Sequence, residues 1–257
     1  MKIFAKSFAK VNPHLEITGT REDGYHELEI SYLSVNLADR LTYEEIPGDR
    51  VEISTDASIP TEENLCYRVA KELKGVCSVN SGTKITLEKN IPIGGGLGGG
   101  SSNAATTLIA LNRLWGCGLS RDELINIGRR FGADIPFFFY GSYCIGGGTG
   151  SEVRRMKNPY QDRLIPIITP DFSQLTGEVY SEYDRMADNP GSVEKKRFEE
   201  KAREESIYEV KNDLQEPALR LHPDLSGHLD LLNETSEVIT SGISGSGSSV
   251  FGVTRAG

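Results

Sequence analysis

Alternation of apolar and polar residues dominates the first part of the chain. Apolar side chains recur largely at every second position between Leu28 and Leu41, and Gly19 and Gly24 punctuate the chain before them. A period of two is typical of strands that bury one face. The pattern therefore predicts strands over residues 3–46.

Helical periodicity replaces this alternation after residue 60. Apolar residues three and four apart follow Asn64, and they recur after a glycine-rich stretch as far as Trp115. Ser120 and Glu123 form a capping-box pattern, which favours the start of a further helix. The first predicted helix opens at residues 61–64, runs through Leu73 and stops near Gly75. A strand is predicted over 84–87, followed by a helix that ends near Trp115 and a helix from Ser120 to Gly132.

The second half of the chain has weaker periodicity. An apolar strand is predicted over 164–168, and a loop runs from Pro170 to Tyr180. The charge-dense segment 186–206 predicts a solvated helix or loop. Composition changes near residue 155, which predicts domains 1–155 and 156–257. Helices are predicted over 207–221 and 224–233, and a second Gly/Ser loop over 241–249 lies between two short apolar runs.

The glycine-rich stretch is the clearest candidate for a binding site. Six of the seven residues over 94–100 are glycine, and Ser101 and Ser102 follow at the start of a helical pattern. Glycine allows positive φ and close approach of a ligand, and the amides of a helix N-terminus favour anions. A flexible linker is the alternative, but an amphipathic helix follows at once. The stretch therefore predicts a phosphate site.

Two common phosphate motifs do not match this stretch. Gly95, Gly100 and Ser102 have the spacing of a P-loop, but Ser101 occupies the position of its lysine. The dinucleotide fingerprint also fails, because no acidic residue ends a second strand about twenty residues later. The charged groups for phosphate chemistry must come from elsewhere in the chain.

Charge and cysteine usage restrict the class of protein further. The 257 residues carry a net charge of −9, which argues against a nucleic-acid partner. No apolar run approaches membrane-spanning length. Cys66, Cys77, Cys117 and Cys144 form no C-x-x-C pair and no signal peptide is seen, so a reduced, cytoplasmic protein is predicted. The histidines have no metal-ligand spacing, and no metal ligand is assigned.

Two charged residues have alternative interpretations. Lys10 lies with Asn12 inside the first apolar stretch, where it is either a solvent-facing strand lysine or a functional cation. Asp134 precedes Pro136 and a run of phenylalanines, so it is either a helix N-cap or a catalytic carboxylate. Sequence spacing alone leaves both alternatives open.

Three short motifs resemble those of the GHMP kinases, the superfamily of galactokinase, homoserine kinase and mevalonate kinase. They are Ala-Lys-Val-Asn at 9–12, the stretch 92–105, and the Gly/Ser loop 241–247, in the superfamily's order. The resemblance implies an α+β fold, the GHMP kinase fold, with two domains. It implies a left-handed βαβ element in the N-terminal domain and an active site in the interdomain cleft.

Further strings resemble one branch of that superfamily. They are residues 23–28, 132–137 and 211–215, and residues 176–180 also fit. The resemblance implies ATP- and Mg²⁺-dependent phosphorylation of the 2-hydroxyl of the erythritol part of a cytidine diphosphate alcohol, in the non-mevalonate isoprenoid pathway. The implied partners are these two small molecules, with no nucleic acid and no membrane, for a monomer or weak homodimer.

Residue roles follow from the resemblance, position by position. Asp134 would accept the proton of the substrate hydroxyl as general base, and Lys10 would contact that hydroxyl and the Asp134 carboxylate. Asn64 and Lys89 match positions near adenine. The implied ATP-binding residues are Asn64, Lys89, Pro92, Gly94, Gly95, Gly96, Leu97, Gly98, Gly99, Gly100, Ser101, Ser102 and Asn103. The implied substrate-binding residues are Asn12, Tyr25, His26, Asp134, Tyr180, Gly245 and Ser246, with the tyrosines on either side of cytosine. Without the resemblance, Tyr25, Tyr180 and His26 would be taken as surface residues.

The sequence also departs from the superfamily's pattern. Phe8 occupies a position where proline is usual, and Pro13-His14 replaces an apolar pair close to the site. The chain stops soon after the third motif, which predicts a short or truncated C-terminal domain. Two other functions remain open, a GHMP kinase with a different acceptor alcohol and a non-catalytic binder of nucleotide or phosphate.

Overall fold

The computed structural model describes residues 1–187 and 208–256, so most of the charge-dense segment 186–206 lies outside the described residues. The strands are β1 (Lys2–Val11), β2 (His14–Thr20), β3 (His26–Ile46), β4 (Val51–Thr55), β5 (Gly82–Glu88), β6 (Tyr143–Gly147), β7 (Glu152–Arg155), β8 (Ile167–Ile168), β9 (Lys211–Asn212), β10 (Val238–Ile243) and β11 (Val250–Thr254). The helices are α1 (Leu65–Cys77), α2 (Gly99–Leu114), α3 (Arg121–Gly128), α4 (Thr176–Met186), α5 (Gln215–Leu221) and α6 (Leu225–Asn233), with 3₁₀ turns at Thr61–Glu63 and Ile135–Phe139.

Contacts between residues divide the chain into two compact units that interleave in sequence. The first unit contains Met1–Ala9, Asn36–Pro92 and Gly98–Tyr140, and the second contains Lys10–Val35, Ile93–Leu97 and Gly141–Gly257. The predicted domain boundary near residue 155 stays a prediction.

The first unit packs helices on a sheet. The later part of β3 pairs antiparallel with β5, and β4 pairs parallel with β5. Helices α1, α2 and α3 cover this sheet and enclose an apolar core. Burial of such side chains is the main stabilising contribution, roughly 1.5–3 kcal/mol for each large residue. Fully buried core residues include Tyr43, Leu73, Ile85, Leu108 and Leu111.

Side-chain caps explain where two of these helices begin. The Asn64 side chain accepts a hydrogen bond from the Cys66 amide at the start of α1. Ser120 and Glu123 form the predicted capping box at the start of α3. The hydrogen bonds from Ser120 lower the pKa of Glu123. Caps of this kind satisfy amides that have no partner inside the helix.

The second unit contains two sheets. Strand β2 pairs antiparallel with the early part of β3 and parallel with β9, and β3 also pairs antiparallel with β6. Strands β6 and β7 form a hairpin where the sequence shows the glycine cluster 146–150. The other sheet has the order β10-β11-β8. Its central strand β11 is wholly buried.

Most predicted elements are confirmed, and four predictions need correction. The strand predicted over 164–168 is only the two-residue β8, and the helix predicted to reach Gly132 ends at Gly128. The helix predicted over 207–221 begins at Gln215, after the short strand β9. Tyr180 lies on helix α4 and not in a loop. The start of α4 gives no signal in the sequence, because its N-cap is Leu175, which makes no side-chain cap hydrogen bond.

The prediction of fully reduced cysteines is also wrong for one pair. Cys77, at the end of α1, forms a disulfide with Cys117, which follows α2. The two cysteines are 40 residues apart in sequence, so a search for closely spaced cysteines could not indicate this disulfide. Cys66 and Cys144 are free and buried. No described helix is both long and apolar enough to cross a membrane.

Candidate functional site

The glycine-rich stretch enters helix α2 through backbone that only glycine adopts readily. Gly94, Gly96 and Gly98 have φ of 72°, 72° and 68°. Gly98 is the N-cap of α2 and provides no side-chain cap hydrogen bond. The first amides of α2 are therefore left to a ligand, and the positive end of the helix dipole favours an anion there.

Within the second unit, the middle of this stretch lies against the C-terminal Gly/Ser loop. The Ser244 hydroxyl donates to the Gly96 carbonyl at 3.0 Å, and the Ser249 amide donates to the Gly95 carbonyl at 3.1 Å. A Cβ on Gly96 would lie 2.1 Å from the Ser244 carbonyl oxygen. Two motifs about 150 residues apart are thus in backbone contact, and glycine is required at this approach.

Lys10 and Asn12 lie at the same place in the second unit. The Lys10 amide donates to the Leu97 carbonyl at 3.0 Å, and its ammonium donates to Asn12 Oδ1 at 2.6 Å. A Cβ on Gly245 would lie 3.3 Å from Asn12 Oδ1 and 3.5 Å from Lys10 Nζ. Lys10 is 4% exposed, so the solvent-facing alternative is wrong. A buried ammonium beside two glycine loops suits interaction with an anion.

Asp134 belongs to the first unit, immediately before the 3₁₀ turn Ile135–Phe139. Pro136 lies at the start of that turn, as predicted, but the Asp134 side chain makes no cap hydrogen bond. The turn packs on α2 and α3. A Cβ on Gly128, the last residue of α3, would lie 2.6 Å from Ile135, and one on Gly132, just before Asp134, would lie 3.6 Å from the Ser101 hydroxyl of α2. The N-cap role is therefore not realised, and a half-buried carboxylate stands near the start of α2.

The predicted cytidine-side residues are partly together. The rings of His26 and Tyr180 stack with centroids 5.0 Å apart, and Tyr183 meets His26 edge-on. His26 Nε2 lies 2.8 Å from Asp184 Oδ1. Tyr25, in contrast, is 66% exposed. Sequence analysis missed Tyr183 and Asp184, which lie near Tyr180 because residues three and four apart share one face of a helix.

Asn64 and Lys89 are held firmly in the first unit. Asn64 caps α1 through Oδ1, and its buried Nδ2 atom has no hydrogen-bond partner among the described residues. Lys89 forms an ion pair with Asp39. Burial raises the pKa of the neighbouring Cys66 thiol to about 11, so this thiol is protonated at neutral pH and is not a nucleophile.

Asp39 is a site residue that sequence analysis missed. It is fully buried and accepts hydrogen bonds from the start of the glycine-rich stretch and from Asn103 in α2. The sequence does contain a signal for it. Side chains at every second position of a strand face the same side, and Asp39 shares its side of β3 with the buried apolar residues Val35, Leu41 and Tyr43. A carboxylate in that register must be compensated by donors.

His14, one of the departures from the superfamily's pattern, lies in a charged cluster on the second unit's sheet. His14 Nε2 is 3.5 Å from Glu16 Oε2, and Glu16 lies directly opposite Glu29. The three side chains place one ligand atom each within 4.8 Å of one another. The Lys211 ammonium, 2.9 Å from Glu16, already neutralises part of this charge.

Comparison with known proteins identifies the family of the chain. The family described as GHMP kinases N terminal domain matches residues 64–142. A solved structure of 4-(cytidine 5′-diphospho)-2C-methyl-D-erythritol kinase is similar over 99% of this chain and 91% of its own, with 31% sequence identity and a TM-score of 0.81. The chain belongs to the GHMP kinases, in the family of that erythritol kinase.

Relatives found by sequence are erythritol kinases of the same kind as that solved structure. The 4-diphosphocytidyl-2-C-methyl-D-erythritol kinase of Methylococcus capsulatus is 43% identical over 182 residues, and that of Bacillus mycoides is 42% identical. These alignments cover 70% of this chain, and they span 62% and 63% of the two relatives' lengths.

More distant solved structures confirm the GHMP kinase fold. The mevalonate kinase of Methanococcus jannaschii has a TM-score of 0.68 with 16% identity, and it covers 99% of this chain and 91% of its own. At this identity the likeness concerns the fold alone. The predicted fold class is thereby confirmed.

Proposed function

We propose that this protein transfers the γ-phosphoryl group of ATP to the 2-hydroxyl of 4-diphosphocytidyl-2-C-methyl-D-erythritol, a step of the non-mevalonate isoprenoid pathway. The observation that carries the proposal is the buried Lys10 ammonium, bonded to Asn12 beside the two glycine loops of the second unit. The erythritol kinases to which the chain is similar have names that agree with it.

The nucleotide phosphates would bind at the start of α2. Gly98 gives the first amides of this helix no side-chain cap, and residues 99–101 present them with the positive end of the helix dipole. The Ser102 amide donates to the Gly98 carbonyl at 2.9 Å. Backbone amides aimed at phosphate oxygens stabilise charge without the lysine of a P-loop. Asn64, with a buried Nδ2 donor at the start of α1, would contact the adenine side.

Mg²⁺ would enter as its complex with ATP, where it neutralises charge on the phosphate oxygens. The residues at the start of α2 fit such a complex, since hard cations prefer oxygen ligands. The Ser102 hydroxyl is bonded to Ser7 at 2.7 Å, whereas the half-buried Ser101 lies in the same first turn. Ser101 is the hydroxyl that we assign to this complex.

The acceptor side follows from Asp134, Lys10 and the aromatic cluster. Asp134 would accept the proton of the attacking hydroxyl, whose oxygen then forms the new bond to phosphorus as the bond to ADP breaks. Lys10 would stabilise the negative charge that develops on the transferred group. His26, Tyr25 and Tyr180 would bind cytosine by hydrogen bonding and stacking.

Turnover with a panel of alcohols tests this proposal. ADP release should require the cytidine diphosphate alcohol, and homoserine, mevalonate and galactose should support none above background. ADP release with one of those alcohols instead would indicate a GHMP kinase with a different acceptor. ATP binding without any turnover would indicate a non-catalytic binder.

A further inference from the structure

Asp39 joins three segments of the first unit through one buried carboxylate. Its Oδ1 atom accepts the amides of Asn90 and Ile91, at 2.7 and 2.8 Å. Its Oδ2 atom accepts Asn103 Nδ2 at 2.8 Å and the Lys89 ammonium. Asp39 itself is 0% exposed. Its bonds to Ile91 and Asn103 are buried, and those to Lys89 and Asn90 are partly buried. Each carboxylate oxygen accepts about two hydrogen bonds, so these four donors saturate Asp39.

The four donors come from the two ends of the glycine-rich stretch. Lys89, Asn90 and Ile91 lead into the stretch, and Asn103 lies in the first turns of α2, which leave it. One carboxylate on the neighbouring strand β3 therefore fixes both ends. A loop with fixed ends loses less conformational freedom when it binds a ligand, so its affinity is higher.

Asp39 also fixes the position of a cation. The Lys89 side chain is 10% exposed, and its ammonium would lie 3.1 Å from a Cβ on Gly99, the first residue of α2. The ammonium is thus held beside the helix end that presents amides to the ligand. Removing one partner of a buried ion pair leaves the other charge uncompensated, which is costly.

We propose that Asp39 is a positioning residue for the nucleotide. It orders the glycine-rich stretch and Lys89 before ATP binds, and it acts through them without touching ATP. The inference rests on the proposed function only in taking ATP as the ligand of this stretch. The donors to Asp39 all lie at the glycine-rich stretch and at the start of α2. His26, Tyr180, Tyr183 and Asp184 contact one another within the second unit. The effect of Asp39 should therefore be specific to ATP.

Asp39→Asn tests the proposal with a change of nearly equal volume. Asparagine replaces one carboxylate oxygen by an NH₂ group, which donates and does not accept. This group would face either the amides of Asn90 and Ile91 or the side chains of Lys89 and Asn103, all of which are donors. We expect KM for ATP to rise about tenfold or more, because binding amides are no longer fixed. At saturating ATP, kcat and KM for the cytidine substrate should change less than about threefold.

Asp56→Asn is the matched control. Asp56 is exposed and accepts the backbone amide of the same Lys89 at 3.0 Å. An asparagine keeps that acceptor, so KM for ATP should stay within about twofold of wild type. Equal KM values for ATP in Asp39→Asn and wild type would overturn the positioning role. An equal rise in KM for ATP and in KM for the cytidine substrate would also overturn it, because it would indicate a purely structural role.

Two measurements on the wild type keep the proposal testable if Asp39→Asn does not fold. Hydrogen exchange should show the Asn90 and Ile91 amides protected before ATP is added, and protection only after addition would overturn the inference. Calorimetric titration with ATP separates the two claims. Wild-type protein that does not bind ATP would overturn the proposed function, whereas normal binding by both wild type and Asp39→Asn would overturn only the role of Asp39.

Discussion

Local structure distinguishes the two charged residues of the proposed mechanism from ordinary surface charges. Lys10 is 4% exposed and bonded to Asn12, although its sequence position also suits a solvent-facing strand lysine. Asp134 precedes a 3₁₀ turn that its side chain does not cap. A buried ammonium and a carboxylate that is not used as a helix cap are the kinds of groups that functional sites retain.

Asp134→Asn is expected to abolish turnover while ATP still binds. Asparagine has nearly the same volume but cannot accept a proton, and loss of a general base costs about 10²–10⁴-fold in rate. Steady-state kinetics and calorimetric titration with ATP measure the two quantities. A rate within about threefold of wild type would contradict the assigned role.

Lys10→Met should lower kcat more than it raises KM. The ammonium contributes when charge develops on the transferred group, so its loss is felt mainly in the transition state. Methionine preserves much of the aliphatic volume in this buried position, which limits the structural effect. If KM alone rises, Lys10 is a binding residue and the proposed role is wrong.

The cytidine cluster predicts selectivity for the base. Tyr25→Ala and Tyr180→Ala should each weaken the cytidine substrate about tenfold or more, because base–aromatic stacking contributes roughly 1–3 kcal/mol. His26→Ala should narrow the preference for cytidine over uridine, since the exocyclic group changes from donor to acceptor. Titration with both forms checks this. Unchanged affinity in both tyrosine variants, together with an unchanged preference in His26→Ala, would remove the cytidine assignment.

At the scale of elements, α2 begins where glycine is required and ends where it was predicted. Gly98 caps the helix with φ of 68°, and Trp115 follows its last residue. The sequence indicated this helix well because the glycines, the two serines and the apolar period agree. It indicated α4 poorly, because the segment after Pro170 has a glycine at 177 and a leucine as N-cap.

Gly98→Val should weaken ATP binding and leave the cytidine substrate unaffected. A β-branched residue disfavours positive φ, and its side chain obstructs the approach of phosphate. Gly116→Val is the matched control, because Gly116 also has positive φ, at 65°, and lies just past the opposite end of α2, with nothing within 4 Å of its Cβ. An equal loss of affinity for ATP and for the cytidine substrate in Gly98→Val would argue against a nucleotide-phosphate site at this stretch.

At the scale of the whole molecule, the sequence predicts periodic elements and motifs but not the pairing of distant residues. The long alternation of β3 and the capping box at Ser120 are local signals, and both are confirmed. The Cys77–Cys117 disulfide and the donors around Asp39 depend on residues tens of positions apart. Such pairings are set by tertiary packing, which no local period encodes.

The disulfide predicts a count of thiols and a loss of stability on reduction. Thiol titration of the unfolded protein should find two reactive thiols, from Cys66 and Cys144, and four after reduction. Closure of a loop of 40 residues contributes at most about 4 kcal/mol to the free energy of unfolding. Urea unfolding with and without reductant measures this difference. Four thiols before reduction would contradict the pairing.

Transfer of a labelled phosphoryl group tests the proposed reaction and its position on the acceptor in one experiment. The protein is incubated with Mg²⁺, ATP labelled in its γ-phosphate, and the cytidine diphosphate alcohol, and the product is analysed by phosphorus NMR. We expect one labelled phosphomonoester, on the 2-hydroxyl, for each ADP formed. Label that appears only as inorganic phosphate, or on another hydroxyl of the acceptor, would contradict it.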